Sequence, residues 1–259
     1  MIPIGLRTTL DFVPDAAELG FDYLELPLSA VAALSDGEFD ELRAYLEAAD
    51  VSVNALWSAL PDDLPVTGEN VLARRQHAYL SNAFSRARRL GAGIISFDAE
   101  RQRSAPEGFD FAFARRQLGN FLRIAQGHAA GEALRIAVRN IRPAQSNLIN
   151  TVSEASLLSA LLQLDNVGVL ADTVQMALVS ERPDAIARAG GSLFHVYTGG
   201  ALSRKLPAEG DGENYPKLFH MLQAMGYRGS VSCIYEGSCT PQEASSALRC
   251  LRQATESRH

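Results

Sequence analysis

The stretch RIAVRNIRPAQSNLINT, residues 135–151, runs through aliphatic residues to Arg139. A guanidinium stays protonated, so Arg139 has no lone pair for a metal ion but can grip a carboxylate or polarise an oxygen. Carboxylates occur in comparable settings. Asp98 and Glu100 follow GIISF, Asp172 ends VGVLAD, and Glu236 lies in VSCIYEG. Two carboxylates held close together split their pKa values and supply an acid and a base. Asp98 and Glu100 have that spacing, although Arg101 and Arg103 beside them are equally available as ion-pair partners. Glu236 is two residues beyond Ile234 and so shares its side of an extended strand. There it is either a displaced acid or base, or a solvated carboxylate opening a loop. Cys233 has the opposite parity and reads as packing. The three cysteines, Cys233, Cys239 and Cys250, lack CxxC spacing and read as free thiols. No Ser-His-Asp order, P-loop or haem motif is present, and no cofactor is expected.

These residues need strands to carry them. Short aliphatic runs alternate with longer amphipathic stretches: an opening strand near Ile2 to Leu6, then FDYLELPL, VSVNAL, AGIISFD, LRIAVRN, VGVLAD, SLFHVYTG and GSVSCIYEG, separated by helical patterns such as DGEFDELRAYLEAAD and FAFARRQLGNFLRIAQGHAAG. Strict alternation implies a parallel sheet, because a parallel return needs a crossover. The GxGxxG fingerprint of an open dinucleotide-binding sheet is absent. Close to eight units in 259 residues predict an α/β fold of one domain, residues 1–259, a (β/α)8 TIM barrel. The longest irregular stretches, WSALPDDLPVTGEN, AERQRSAPEGFD and TGGALSRKLPAEGDGEN, each follow a predicted strand and so gather at one end of the barrel.

Composition narrows the partners. A net charge of -6 argues against nucleic acid, which needs a concentrated basic surface. The arginines of RQHAYLSNAFSRARR fall at helical spacing and read as a solvated face. No run of about 18 apolar residues is present to span a bilayer, and MIPIGLRTTLDF lacks the pattern of a secretory signal. A cytoplasmic protein with a small-molecule substrate, no nucleic acid and no membrane partner is expected.

The order and spacing of GFDYLEL, AFSRARRLGAGIISFDAERQRSAPEGFD, SNLINTVSEA, VGVLADTVQM, LFHVYTGGALSRKLPAEGDGENY and GYRGSVSCIYEG resemble the xylose isomerase-like TIM barrels, a family of sugar epimerases, hydroxypyruvate isomerase, inosose dehydratase and endonuclease IV. The resemblance covers nearly the whole chain. It implies one divalent metal held by two glutamates, an aspartate and a histidine at four strand ends, polarising a carbonyl while a carboxylate moves the neighbouring proton. Carried over one residue at a time, that set breaks. The first glutamate, expected in a pattern like IAIEPLNR, falls at Arg139; the aspartate is Asp172; the histidine three residues later is Gln175. Of the His-x-His pair, His195 remains and Tyr197 stands at the ligand position. The last glutamate, expected in a pattern like VSLEYEG, falls at Ile234.

The expectation is therefore no metal. Arg139 takes over part of the cation's role and pairs with Asp172, or the pair is a structural plug. Arg139, Asp172, Tyr197 and Glu236 are the candidate catalytic residues; a phenol beside an arginine ionises more easily. Glu25, Trp57, Asp98, Glu100, Gln175, His195 and Arg204 are candidate substrate contacts. Glu25 is expected at the mouth to bind a hydroxyl, Arg204 to contact polar groups, Trp57 to stack or fill space, and His195 to be either a contact or a hydrogen-bonded core residue. The function implied is metal-independent isomerase, epimerase-like or lyase-like proton transfer on a small polar, sugar-like or carboxylate metabolite. The alternative is a catalytically silent barrel that binds a metabolite or supports a partner subunit. An unusual metal set of Asp172, Glu236, Asp98 and His195 is a third possibility. The endonucleases are a poor model, since they need several metals and this chain has 5 histidines. A homodimer is a further implication of the resemblance.

Overall fold

The computed structural model of the protein describes residues 1–256. Eight strands pair in chain order, all parallel, and the last closes on the first. They are β1 (Ile4–Arg7), β2 (Tyr23–Pro27), β3 (Val53–Trp57), β4 (Ile94–Phe97), β5 (Arg135–Arg139), β6 (Val167–Asp172), β7 (Leu193–Thr198) and β8 (Ser230–Cys233). The helices are α1 (Val13–Ala17), α2 (Leu28–Ala33), α3 (Asp36–Ala48), α4 (Ala73–Arg89), α5 (Phe111–Gly131), α6 (Val152–Leu162), α7 (Thr173–Leu178), α8 (Asp184–Ala189), α9 (Tyr215–Ala224) and α10 (Pro241–Glu256). This is the (β/α)8 barrel that alternation predicts. Two short helices are additions to the sequence pattern. α2 continues the apolar run of β2 without a break, and α7 is started by Asp172, whose side chain accepts from the Gln175 amide.

Helix starts follow ordinary capping chemistry. Ser35 and Glu38 form a reciprocal capping box on α3, and Asp110, Thr151 and Asn214 cap α5, α6 and α9. Strand alternation divides the apolar residues between two cores. Leu6, Leu24, Leu56, Ile95, Phe97, Val138, Val169, Val196, Val231 and Cys233 face the helix layer. Tyr23, Ala55, Ile94, Ala137, Leu170, Phe194, Tyr197 and Ile234 fill the barrel itself. Cys233 is fully buried, and burial pushes its thiol well up, so it packs and does not act as a nucleophile.

The interior is crowded enough to dictate glycine. A Cβ on Gly5 would sit 2.2 Å from two atoms of the Tyr23 ring, which lies over β1 to bond Ser232 Oγ of β8 at 2.8 Å. The Gly5→Val variant is expected to lose about 1–3 kcal/mol of stability or more, because ring and strand cannot both keep their places. Urea denaturation checks this; an unchanged midpoint would show that the Tyr23 ring yields freely.

Candidate active site at the mouth of the barrel

The strand ends and the loops after β3, β4, β7 and β8 enclose a cavity of about 360 Å³. Trp57, Asp98, Glu100, Arg139, Gln175, Arg204 and Glu236 line it, together with Arg7, Gln145, Val174 and Ile234. Four of the sequence candidates do not. Glu25, Asp172, His195 and Tyr197 are fully buried.

Arg139 forms the cavity floor at the end of β5 and is 5% exposed. Its Nε and Nη2 both reach Asp172 Oδ2, at 2.8 and 2.7 Å. Its Nη1 faces Glu100 Oε1 at 3.5 Å. Burial works against the guanidinium's charge, but Asp172, Asp98 and Glu100 outweigh it and hold the group above its ordinary value. Asp172 has no oxygen left over: Oδ1 accepts from the Gln175 amide at 3.1 Å. Its expected part in proton transfer is corrected accordingly, since a fully buried carboxylate with both oxygens engaged positions Arg139 and cannot meet a ligand. Gln175, at the position where the family pattern has histidine, accepts from the Arg142 amide at 2.9 Å.

Glu25 also departs from expectation. Instead of standing at the mouth it lies on the barrel axis, accepting from Ser96 Oγ at 2.7 Å, Ser232 Oγ at 2.6 Å and Tyr197 OH, with His195 Nε2 at 3.1 Å. Four partners saturate a carboxylate, which leaves no place for a substrate hydroxyl. Burial alone would raise its pKa; the charge of His195 and the hydrogen bonds from His195, Ser232 and Tyr197 overcome this and pull it to about 2. His195 has its other nitrogen, Nδ1, 3.1 Å from Ser230 Oγ, so it is a hydrogen-bonded core residue and not a substrate contact. Tyr197 does not ionise easily. Burial and the Glu25 charge push its phenol well up despite Arg7 and Arg139, and it serves as a neutral donor to Glu25.

At the rim, Asp98 accepts from the backbone amides of Ser58, Ala59 and Ala99 at 3.1, 3.2 and 2.9 Å. Ser58 and Ala99 have φ of 49° and 31°, a region side-chain-bearing residues avoid, so this carboxylate pins two strained loops. Neither Asp98 nor Glu100 pairs with Arg101 or Arg103. Arg103 is instead fully buried, donating from Nη2 to the carbonyls of Arg139 and Ile149 at 2.8 and 3.1 Å. Glu236 pairs with Arg204 at the cavity edge. Trp57 gives one ring face to the Arg7 guanidinium, 4.6 Å from the ring centroid.

A divalent metal does not fit this donor set. At the four positions implied by the family pattern stand a cation, a carboxylate already held by that cation, a phenol donating to Glu25, and an isoleucine. The alternative set does not assemble either: Asp98 holds amides, Glu236 holds Arg204, and His195 lies in the barrel core. Among the described residues no three histidine, cysteine or acidic side chains are grouped to hold a metal.

A family model described as the xylose isomerase-like TIM barrel matches residues 13–254. The chain belongs to the xylose isomerase-like TIM barrel family. Among relatives of this family, D-psicose 3-epimerase of Ruminiclostridium cellulolyticum is 22% identical over 227 residues, covering 85% of this chain and 75% of that protein. The crystal structure of 3-keto-D-glucoside 4-epimerase from E. coli superposes with a TM-score of 0.81 at 18% identity, over 98% of this chain and all of that one. D-allulose 3-epimerase from Methylomonas sp. gives 0.84 at 17% identity, over 98% of both chains. At these identities the superpositions show the fold.

Three residues of the site and its supporting network lie outside the sequence candidates. Arg7 shares the parity of inward-facing Gly5 at the end of β1, a signal that was available. Ser96 and Ser232 carried a weaker one, small polar residues at inward positions of buried strands.

Two outcomes follow from this geometry. The depressed pKa of Glu25 gives stability that is full above its unfolded value of 4.5 and is lost as pH falls toward about 2. Glu25→Gln is expected to cost about 3–5 kcal/mol at neutral pH and to flatten the stability profile between those values, as read by urea titrations at several pH values. Protein purified without chelator and incubated with manganese, cobalt or zinc is expected to retain less than about a tenth of an equivalent on elemental analysis; one tightly held equivalent would refute the misfit.

Proposed function

We propose that this barrel is a metal-independent isomerase or epimerase-like enzyme, or a related lyase-like one, that moves a proton beside a carbonyl of a small sugar-like or carboxylate metabolite. The observation that supports it is the approach of Glu100 Oε1 to Arg139 Nη1, 3.5 Å, on the cavity floor. The other guanidinium nitrogens are committed to Asp172, so Nη1 is the end free to receive a carbonyl oxygen. Glu100 removes the proton from the adjacent carbon, the electron pair moves onto the oxygen, and the fixed cation stabilises the enolate. Return of that proton from Glu100 to the former carbonyl carbon, with the neighbouring hydroxyl's proton passing to the oxyanion so that the carbonyl moves one carbon along, gives isomerisation. Delivery of a second proton from Glu236, protonated and released from Arg204 when substrate enters, to the opposite face of the same carbon gives epimerisation and leaves the abstracted proton on Glu100; Glu236 follows β8 and Glu100 follows β4, strands on opposite sides of an eight-strand barrel. The names of the relatives, sugar epimerases, support the substrate class.

The silent-barrel alternative is favoured by one observation: Asp172, Glu25 and Tyr197 all have their hydrogen-bonding capacity engaged inside the protein. Deuterium wash-in separates the two. In D₂O with excess chelator, the protein is expected to exchange a carbon-bound proton of at least one ketose or keto acid, followed by NMR. Glu100→Gln is expected to slow this by about 100-fold or more. Exchange only after manganese addition would overturn the proposal; binding without exchange would favour the silent barrel.

A further inference from the structure

Arg7 ends β1 and lines the cavity, but its charge is not matched as the others are. Arg139 has Asp172 and Glu100 within ion-pair distance, and Arg204 has Glu236. Among the described residues Arg7 has no carboxylate within that distance. Its hydrogen bond runs from Nη2 to the Tyr235 carbonyl at 3.1 Å, which leaves most of its N–H donors open. Arg101 and Lys205 also line the cavity, but both are exposed and solvated.

The guanidinium of Arg7 is held in place. It lies 4.6 Å from the ring centroid of Trp57 and 5.6 Å from that of Tyr197. Trp57 is fixed by its Nε1–H, which donates to the Thr8 carbonyl at 2.9 Å; Tyr197 is fixed by its bond to Glu25. A planar cation clamped on aromatic faces with its donor edge free is preorganised for bidentate recognition of a carboxylate.

The carboxylates lining the cavity do not compete for it. Asp98 holds backbone amides, Glu236 holds Arg204, Glu100 faces Arg139 and accepts from Gln145, and Asp62 accepts from Gln102. A neutral sugar would leave the charge of Arg7 partly desolvated and unmatched. An anionic group on the ligand would match it.

We propose that Arg7 anchors a carboxylate of the substrate, so that the site takes sugar acids in preference to neutral sugars. This rests on the cavity being the substrate site, as proposed above. β1 and β5 lie on opposite sides of the barrel. An acid anchored on Arg7 extends over the Tyr197 ring toward Arg139, whose guanidinium is 5.4 Å from the same centroid. Its carbonyl then meets Nη1 with Glu100 and Glu236 to either side.

The test is calorimetric titration with a panel of aldonates and uronates, each against its matched alditol or aldose. Acids are expected to bind about tenfold tighter or more than their neutral partners. Arg7→Gln is expected to abolish that preference while leaving weak neutral binding intact, and Arg7→Lys to keep part of it, with urea melts showing both variants folded. Equal binding of acids and neutrals, no acid binding, or an acid preference that survives in Arg7→Gln overturns the assignment. Deuterium exchange from neutral ketoses without acid preference overturns it too, and leaves the proton-transfer proposal standing. Acid binding lost in Arg7→Gln, with no exchange on any bound acid, supports the assignment and overturns proton transfer.

Discussion

A guanidinium inside a barrel must be matched by negative charge, and the pair between Arg139 and Asp172 is the interaction around which this mouth is arranged. Removing either partner would strand a charge at a site that is 5% or less exposed, where solvent cannot compensate. The pair also organises backbone. Asp172 starts α7 through the Gln175 amide, and Asn140 ties the end of β5 to that of β6 by accepting from the Asp172 amide at 2.8 Å and donating to its carbonyl at 3.3 Å. Arg103 reaches in from the loop after β4 to the Arg139 carbonyl. Three successive strand-to-helix connections thereby meet at the two residues of the ion pair, one through the Asp172 carboxylate and two through backbone atoms.

Beneath it, a second charge balance fills the barrel. Glu25 gathers Ser96, Ser232, His195 and Tyr197 from three other strands, and Tyr23 and Ser230 extend the network. Such a hub is stable only while every lone pair is met, which explains why serines occupy inward positions that an ordinary barrel fills with Val or Ile. Tyr197 joins the two levels. Its hydroxyl belongs to the lower network, while its ring lies beneath both Arg7 and Arg139. A phenol used in this way is a support for cations and not a titrating group.

The fold was legible because alternation, length and loop placement all pointed the same way, and the departure from the family's ligand pattern was legible at Arg139 and Ile234 by side-chain chemistry alone. Depth along the strand was not. Sequence parity says that Glu25, His195 and Tyr197 face the axis; it does not say whether an inward residue reaches the cavity or stops below it, and all three stop below. Asp98 shows another limit. Its partners are backbone amides of loops after β3 and β4, and backbone geometry such as the positive φ of Ser58 leaves no trace in residue types. Arg7 shows a third limit: its inward parity can be read from β1, but that it has no carboxylate within ion-pair distance among the described residues is decided by other strands and loops.

The changes at the mouth are coupled through charge, which limits what any single reversal achieves. A glutamate at position 139 would face Asp172 and Glu100 with no cation between them, and Ile234 and Tyr197 would still offer a metal no suitable oxygen or nitrogen. Repulsion among three carboxylates would raise their pKa values and loosen the α7 start before it built a coordination sphere. The same arithmetic constrains the proton-transfer proposal. A metal acts on a carbonyl from an open coordination position, whereas a guanidinium acts only along its N–H directions. With Nε and Nη2 committed to Asp172, Arg139 can favour an oxyanion from one side alone. Catalysis at this mouth would therefore depend on the substrate being held at its far end, and the wall opposite β5 is where Arg7 stands.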